Sequence, residues 1–572
     1  MSDAGAAGAP APDARSAGLA TAAETDVIVV GSGAGGMTAA LAAAHRGLDV
    51  TIVEKADRVG GTTAWSAGAA WLPGNRHLAP EQDAGAPLAY IRNSTGNRMD
   101  PAVVEAMLDT GAEVVDFLER ETSVRFRVFG AIDYRSGVPG AALFSRTLEP
   151  APFDDRELGA AHALLRPPLA ALTLFHGMQT DKRDLGSLQN ALRSPRALLA
   201  TAKLLARHYG DLARFGRSTR LLRGNALAGM LLKSILDAGI SLRTGARCTR
   251  LLSSGSRVDR VELQQGEELV TLRARRGVVL ASGGFSANAE ARRVSAAYAD
   301  QHLELPPETN AGEGLAMAIA VGGRLSDNNI SDYCFAPVSK MRLPSGAEAR
   351  YPHFVRDRCL PGCIAIGASG KRFVNEGCSY HDFVLAMHAS GSVPAFLLCD
   401  HRFLRKYGLG LVRPFPFPVA AFIKRGYLVR AATIRALASS IGIDPDETER
   451  SVALANRYAA SGSDLDFRKG DDAFSRTNGD LGHRPNPCLG PICNGPFYAI
   501  RIYPGDTGTT RGLITNASAQ VVDRRSQPIP GLYACGMDMN NPTMGSHPSG
   551  GSNIGPALVF GYIAGTHIAG PS

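Results

Sequence analysis

The residues best suited by type and spacing to do chemistry lie near the two ends of the chain. An apolar run over 26–30 breaks into Gly31, Ser32, Gly33, Ala34, Gly35 and Gly36, and an Ala-rich stretch, 37–45, follows. This order predicts a strand-to-helix turn. Its glycines let the backbone approach a pyrophosphate, and the helix start offers N–H groups and a positive dipole end. A second apolar run, 50–53, ends at Glu54, placed to accept hydrogen bonds from the hydroxyls of an adenosine ribose. Glycine-rich turns also serve merely to pack a helix close to a sheet, and the motif alone does not separate NAD from FAD.

The stretch Gly60 to Gly68 carries Gly61, Thr62, Thr63, Ser66 and Ala67, small and hydroxyl-bearing residues that can follow a long cofactor from its pyrophosphate toward a ring. Near the C-terminus the chain reads Gly531-Leu-Tyr-Ala-Cys-Gly536, and then His547-Pro-Ser-Gly-Gly551-Ser-Asn553-Ile554. The pairing predicts a flavin enzyme, since an NAD-only fold leaves the second motif without a purpose. His547 sits in a loop too rich in Gly and Pro for an ordinary helix face, which favours a functional role. His381 and His483 have no placement argument and are expected to be exposed polar residues.

Composition sets the outer bounds. With 572 residues, 45% of them hydrophobic, the chain is long enough for more than one buried core. Its net charge of +8 is modest, and no basic run is interleaved with stacking aromatics, which argues against nucleic acid. The Arg-rich stretches between Leu165 and Arg223 read as a solvated face, compatible with peripheral association at an inner membrane surface. Nine cysteines without a CxxC pair disfavour zinc, any other metal and a disulfide framework, and fit a reducing cytoplasm. Residues 1–24 are rich in Ala, Gly and Pro and read as a disordered tail, and no stretch is convincing as a membrane span.

The expected fold class is α/β. A Rossmann-like FAD-binding domain spans 25–300, with a helical surface elaboration over about 157–220. An inserted α+β substrate-capping domain spans 301–500, and the second part of the FAD-binding domain spans 501–572. The buried run 277–285 stops at a double glycine, where a backbone approaches something closely.

These residues resemble the succinate dehydrogenase and fumarate reductase flavoprotein superfamily and, within it, the 3-ketosteroid Δ1-dehydrogenases. The resemblance covers nearly the whole chain after residue 24, through 31–36, 60–66, 281–285, 312–314, 372–380, 487–491, 503–506 and 531–567. It implies noncovalent FAD lying extended across the dinucleotide domain. Carried over by position, Glu54 and Lys55 hold the ribose end, Gly31 to Gly36 with Gly61, Thr62 and Thr63 surround the pyrophosphate, and Ser66, Ala67 and Gly68 run toward the flavin. Cys248 contributes backbone near the adenine, Ala281 and Gly283 line the site, and Gly536, Asp538, Asn553 and Ile554 close around the ribityl and ring. Met537 stands where family members carry Asn or Glu, so the ribityl contact moves to Asp538 or is lost.

The resemblance also implies the chemistry. A Δ1-dehydrogenase polarises a ring ketone, removes a proton from the neighbouring carbon and sends hydride from the next carbon to flavin N5. The family base is a tyrosine in Arg-Phe-x-Asn-Glu-x-x-x-Tyr, which gives Tyr380, with Tyr134 as its helper. A tyrosine and a glycine N–H normally clamp the carbonyl; here these positions are His547 and Gly551. The substrate expected is a small hydrophobic ketone, a steroid among the candidates, with a quinone or other electron acceptor. Two alternatives stay open: an ene-reductase acting on an unsaturated carboxylate, with Arg356, Arg358 and Arg372 as cleft arginines, and a flavin-holding module without turnover.

Overall fold

The structure, a computed structural model, describes residues 24–78, 86–144, 146–191, 194–414 and 417–570. The disordered tail expected over 1–24 lies outside these residues, except that Glu24 opens the first strand, Glu24–Val30. That strand is central to an eight-stranded sheet ordered Gln520–Val522, Pro528–Ala534, Glu268–Leu280, Glu24–Val30, Val50–Val53 and Ser241–Arg243, with the strands Ala246–Ser254 and Arg257–Gln265 attached beside Glu268–Leu280. The inner neighbours run parallel. Parallel strands covered on both faces must be apolar throughout, and Val27 to Val30 and Val50 to Val53 are buried without interruption.

Register then does the positioning. Val30 pairs with both Val53 and Leu280, so the Gly31 turn, Glu54 and Ala281 leave the sheet together at its carboxyl edge, where open α/β sheets bind ligands. Gly31 has φ +108°, and a Cβ there would fall 2.2 Å from the Ala281 carbonyl oxygen. Only glycine fits.

The helix Ala34–His45 follows this turn and packs along the C-terminal helix Ile554–Ala569. The contact is backbone to backbone. A Cβ at Gly561 would lie 2.3 Å from the Gly35 carbonyl oxygen, and one at Gly565 would lie 2.4 Å from that of Ala39. Small residues on both helices make this approach possible.

A second, seven-stranded sheet is organised around Phe497–Thr509, with Tyr333–Arg342 on one side and Ala395–Asp400 on the other. Phe497–Thr509 crosses the boundary expected at 500, because its whole length pairs in this sheet. The helix Tyr380–Ser390 packs on Tyr333–Arg342. Asn310 Nδ2 donates to Thr62 Oγ1 at 2.9 Å and to the Gly283 carbonyl at 2.7 Å, and Lys55 Nζ meets Glu313 at 2.6 Å. These contacts join the capping region to the dinucleotide region.

The stretch 157–220 has a solvent-facing helix, Pro195–Phe215, with Leu198, Leu199 and Tyr209 exposed. It is more than a surface elaboration, however, since Leu169, Leu172, Thr180 and Leu185 line the central cavity. No period marks these residues, because Pro167, Pro168 and the following loop break the local pattern. Among the described residues no helix is long and apolar enough to cross a membrane.

Replacing Gly565 by Val forces the two helices apart. The expected outcome is a fall in thermal midpoint of several degrees, from the few kcal/mol typical of overpacking, together with weaker flavin retention, read from a thermal scan and the flavin-to-protein absorbance ratio. An unchanged midpoint with full flavin content counts against the close-packing account.

Candidate active site

One continuous cavity of about 790 Å³ runs from Glu54 and Cys248, past Gly33 to Gly36, Thr62 to Thr63 and Ser66 to Gly68, to Tyr134, Tyr380, His547 and Gly551. At its first end Glu54 accepts from the Ser32 N–H and hydroxyl on one oxygen and from the Ala56 N–H on the other. A carboxylate has about four acceptor positions, so capacity remains for ribose hydroxyls. Cys248 lines this end, and burial pushes its thiol up to about 12. The Ala34 N–H donates to Thr63 Oγ1 at 3.0 Å, while Gly35 and Gly36, also on the cavity wall, belong to the first helical turn, whose N–H groups lack intrahelical acceptors. The segment Thr63–Trp65 is a single 3₁₀ turn. A glycine-floored wall with helix N–H donors and an acid for the ribose fits FAD.

Asp538 takes a different place from the one expected. It is fully buried, accepts from the N–H groups of Ser282 and Gly284, and does not line the cavity. Its carboxylate holds the double-glycine turn, and Met537 and Gly536 face the cavity instead. Ala281, Gly283, Asn553 and Ile554 also line it, as expected.

At the other end, the motif 372–380 explains how Tyr380 is aimed. Arg372 makes two 2.9 Å bonds to Glu376 and two, of 2.8 and 3.2 Å, to Asp464, and Glu376 also accepts from the Ala365 N–H. Glu376 is held down to about 2 despite burial by the charges of Arg372 and Lys469. This lock fixes the turn before Ser379, which caps the helix that starts at Tyr380. Tyr380 then stands edge-on to Tyr134, at 5.6 Å between ring centroids, with Phe354 and Phe474 packed against the pair. Burial pushes both phenols well above their ordinary range.

His547 is not free to clamp a carbonyl. It is 4% exposed and held at φ +46°, a conformation that a non-glycine residue keeps only when its surroundings over-determine it. Nε2 lies 2.6 Å from the Tyr380 hydroxyl, while Nδ1 lies 2.9 Å from Ser552 Oγ and 3.2 Å from Cys334 Sγ. Ser552 donates its own proton to the Ser549 carbonyl. That assigns the proton to Nδ1, donating to Ser552, and leaves Nε2 bare to accept from Tyr380. Burial, with His381 and Arg135 nearby, drives the imidazole well below its ordinary pKa and keeps it neutral. Gly551 lines the cavity, and among the described residues its N–H donates to no protein group; its carbonyl accepts from Trp71 N–H. The carbonyls of Pro548 and Gly550 are likewise tied, to Tyr90, Tyr134 and Thr147.

The remaining expectations divide. Arg358 donates to the carbonyls of His353 and Glu376, and Arg372 is committed to its lock, so of the three expected cleft arginines only Arg356 lines the cavity. His381 is completely buried rather than exposed, accepts from the Phe335 N–H, and is lowered to about 4 by desolvation. His483 is half-buried, bonded to the Leu489 carbonyl. Ser552, Cys334, Arg223 and Arg413 were not singled out by sequence reasoning. Ser552 lies inside the motif that was read, whereas Cys334 and Arg413 carry no local signal.

The chain matches the family model described as FAD binding domain over residues 26–554. It is 38% identical over 554 residues to 4-oxocyclohex-2-ene-1-carboxylate 5-dehydrogenase of Sinomonas cyclohexanicum, covering 95% of this chain and 93% of that one. It is 34% identical to 3-oxosteroid 1-dehydrogenase of Mycobacterium tuberculosis, covering 96% and 98%. Among solved structures, 3-ketosteroid Δ1-dehydrogenase from Sterolibacterium denitrificans, in complex with 1,4-androstadiene-3,17-dione, matches with a TM-score of 0.87 at 32% identity, over 96% of this chain and 100% of that one. The chain belongs to the FAD-binding dehydrogenases of the succinate dehydrogenase and fumarate reductase flavoprotein superfamily, and is an FAD-dependent oxidoreductase.

Proposed function

We propose that the protein introduces a carbon–carbon double bond beside a ring ketone, with Tyr380 as the base. The observation that carries this reading is the 2.6 Å contact between the Tyr380 hydroxyl and His547 Nε2 at the cavity wall. FAD, held without a covalent bond, supplies the hydride acceptor when bound, and a quinone or other acceptor takes the electrons onward.

The Gly551 N–H polarises the substrate carbonyl, which lowers the pKa of the α-proton. A buried phenol whose pKa is raised is a poor phenolate, so Tyr380 needs somewhere to send its own proton. His547 Nε2 provides it. The α-proton moves to the Tyr380 oxygen as the Tyr380 proton passes to His547 Nε2, forming a cation that burial disfavours and that the negative charge of the transferred hydride offsets, while Nδ1–H stays anchored on Ser552. Tyr134 backs Tyr380, and Phe354 and Phe474 help keep water from the reacting carbon. Of the three arginines expected for the ene-reductase alternative, Arg358 and Arg372 are spent on backbone and carboxylate partners and Arg356 alone lines the cavity, while the Tyr380 and His547 pair is arranged to remove a proton. A module without turnover has no need of the aligned Tyr380 and His547 pair.

Native protein mixed anaerobically with 4-androstene-3,17-dione or 4-oxocyclohex-2-ene-1-carboxylate is expected to lose its oxidised-flavin band with at least one of them. Tyr380→Phe is expected to slow this bleaching by about 10²- to 10⁴-fold, the usual worth of a positioned base, with flavin content unchanged. Failure of both ketones with the native protein, or native-rate bleaching by the variant, sinks the reading.

The lowered pKa of His547 fixes a sign. A depressed pKa means that the imidazole stays neutral, and able to accept, as pH falls through the ordinary histidine range of about 6.5. The native bleaching rate is therefore expected to be flat from about pH 8 to pH 6. In His547→Gln, Tyr380 must lose its proton to solvent, and the rate is expected to rise with pH across that interval. A native rate that halves near pH 6.5 contradicts the relay.

A further inference from the structure

The cavity wall near Tyr351 holds positive charge that the protein leaves unanswered. Arg223 and Arg413 both line the cavity. Among the described residues, Arg223 is held by a single bond, to the Thr180 carbonyl at 3.0 Å, and Arg413 by one to the Ala171 carbonyl at 3.3 Å; neither has a carboxylate within ion-pair distance. The two guanidinium groups act on each other and on the same cavity-lining phenol, Tyr351, which desolvation pushes up to about 12.

The acids nearby are already committed. Glu149 and Asp181, whose fields reach Arg223, are held by Arg127, and Asp181 also by Arg220. Asp357, whose field reaches Tyr351, is bonded to His353. Desolvation lowers the Arg223 pKa, with Arg413 adding to the effect. A guanidinium does not deprotonate at working pH, and buried charges are ordinarily paired. Two half-buried cations on one wall, neither with a carboxylate partner among the described residues, are placed to receive an anion in the cavity.

The cofactor pyrophosphate does not meet that need, because its donors sit at the start of the helix Ala34–His45. Arg413 belongs instead to the capping region, and its bond to Ala171 ties it to the loop that forms the outer wall. We infer that Arg223 and Arg413 form an anion subsite, and that the ring ketone desaturated at Tyr380 bears a carboxylate held there. The inference rests on the ring-ketone reading above and names its substrate class. A planar guanidinium suits a carboxylate in two-point contact, and the 4-oxo acid named for one relative carries such a group, whereas a neutral steroid ketone offers nothing to neutralise the pair.

The test compares 4-oxocyclohex-2-ene-1-carboxylate with its methyl ester, which keeps the ring and ketone and removes the charge. Half-saturation for anaerobic flavin bleaching is measured with native protein, Arg413→Met and Arg223→Met, and flavin content is read from each spectrum before mixing. The acid is expected to half-saturate about tenfold or more below the ester in native protein, and either variant to raise the acid's value by about 10- to 100-fold, the worth of a charge-assisted contact, while moving the ester's by less than about twofold.

Raised salt is expected to weaken the acid and not the ester. Acid and ester behaving alike, or variants that weaken both equally, overturn the subsite and leave the ring-ketone reading standing. Variants that shed flavin while keeping native discrimination between acid and ester assign the arginines to the cofactor and overturn it too. Bleaching by no ring ketone at all, acid, ester or steroid, removes the underlying reading and this inference with it.

Discussion

The near-contact of two helix backbones holds the active site together. Gly35 and Ala39 on the first helix meet Gly561 and Gly565 on the last, at distances that no side chain survives. Because the last helix is rooted at Asn553 and Ile554, this contact fixes where the loop from His547 to Gly551 lies relative to the first glycine turn. The cofactor-binding edge and the reacting end of the cavity are thereby set at one distance from each other, although they are encoded at opposite ends of the chain. Trp71, Tyr90 and Thr147 then hold the loop by its carbonyls.

The reacting end is governed by desolvation. Tyr380, Tyr134, His547 and His381 are packed among aromatic rings, so each is pushed toward its neutral form. In water a tyrosine and a histidine side by side would settle their proton by bulk pKa. Here neither ion is comfortable, and proton position follows hydrogen-bond geometry, with Ser552 fixing the tautomer. One charge-dense assembly close by, Arg372 with Glu376, Asp464 and Lys469, is a set of mutual partners. It aims Tyr380 without lending charge to the cavity, whereas Arg223 and Arg413, like Arg356, line it without a carboxylate partner among the described residues.

Much of the fold could be read without coordinates. Uninterrupted apolar strands, the glycine turn and Glu54 each obey a local rule, and the parallel sheet follows from them. The motif ending at Tyr380 was legible as a unit, yet the reason for its Arg and Glu, a lock to Asp464 and Lys469 from far along the chain, was not. Asp538 and His547 mark the limit. Both were placed on the ligand by position, and both turn to protein partners: Asp538 to the Ser282 to Gly284 turn, His547 to Tyr380 and Ser552. A short polar residue in a glycine-rich loop faces a ligand or the protein according to a rotation of the backbone, and spacing does not encode that rotation.

The sequence by itself determined the dinucleotide turn, the acid that follows it, the second flavin-type motif and the likeness to one flavoprotein superfamily, because these depend on backbone conformations and residue order that act over short spans. The tertiary structure decided which groups share the cavity. Tyr134, Tyr380 and His547 meet only because two sheets and two terminal helices close on one another. Arg223 and Arg413 face the same wall only because the loop after Pro167 folds inward between them. Long-range packing sets such encounters, and with them the local dielectric, and neither is written in any single stretch of the chain.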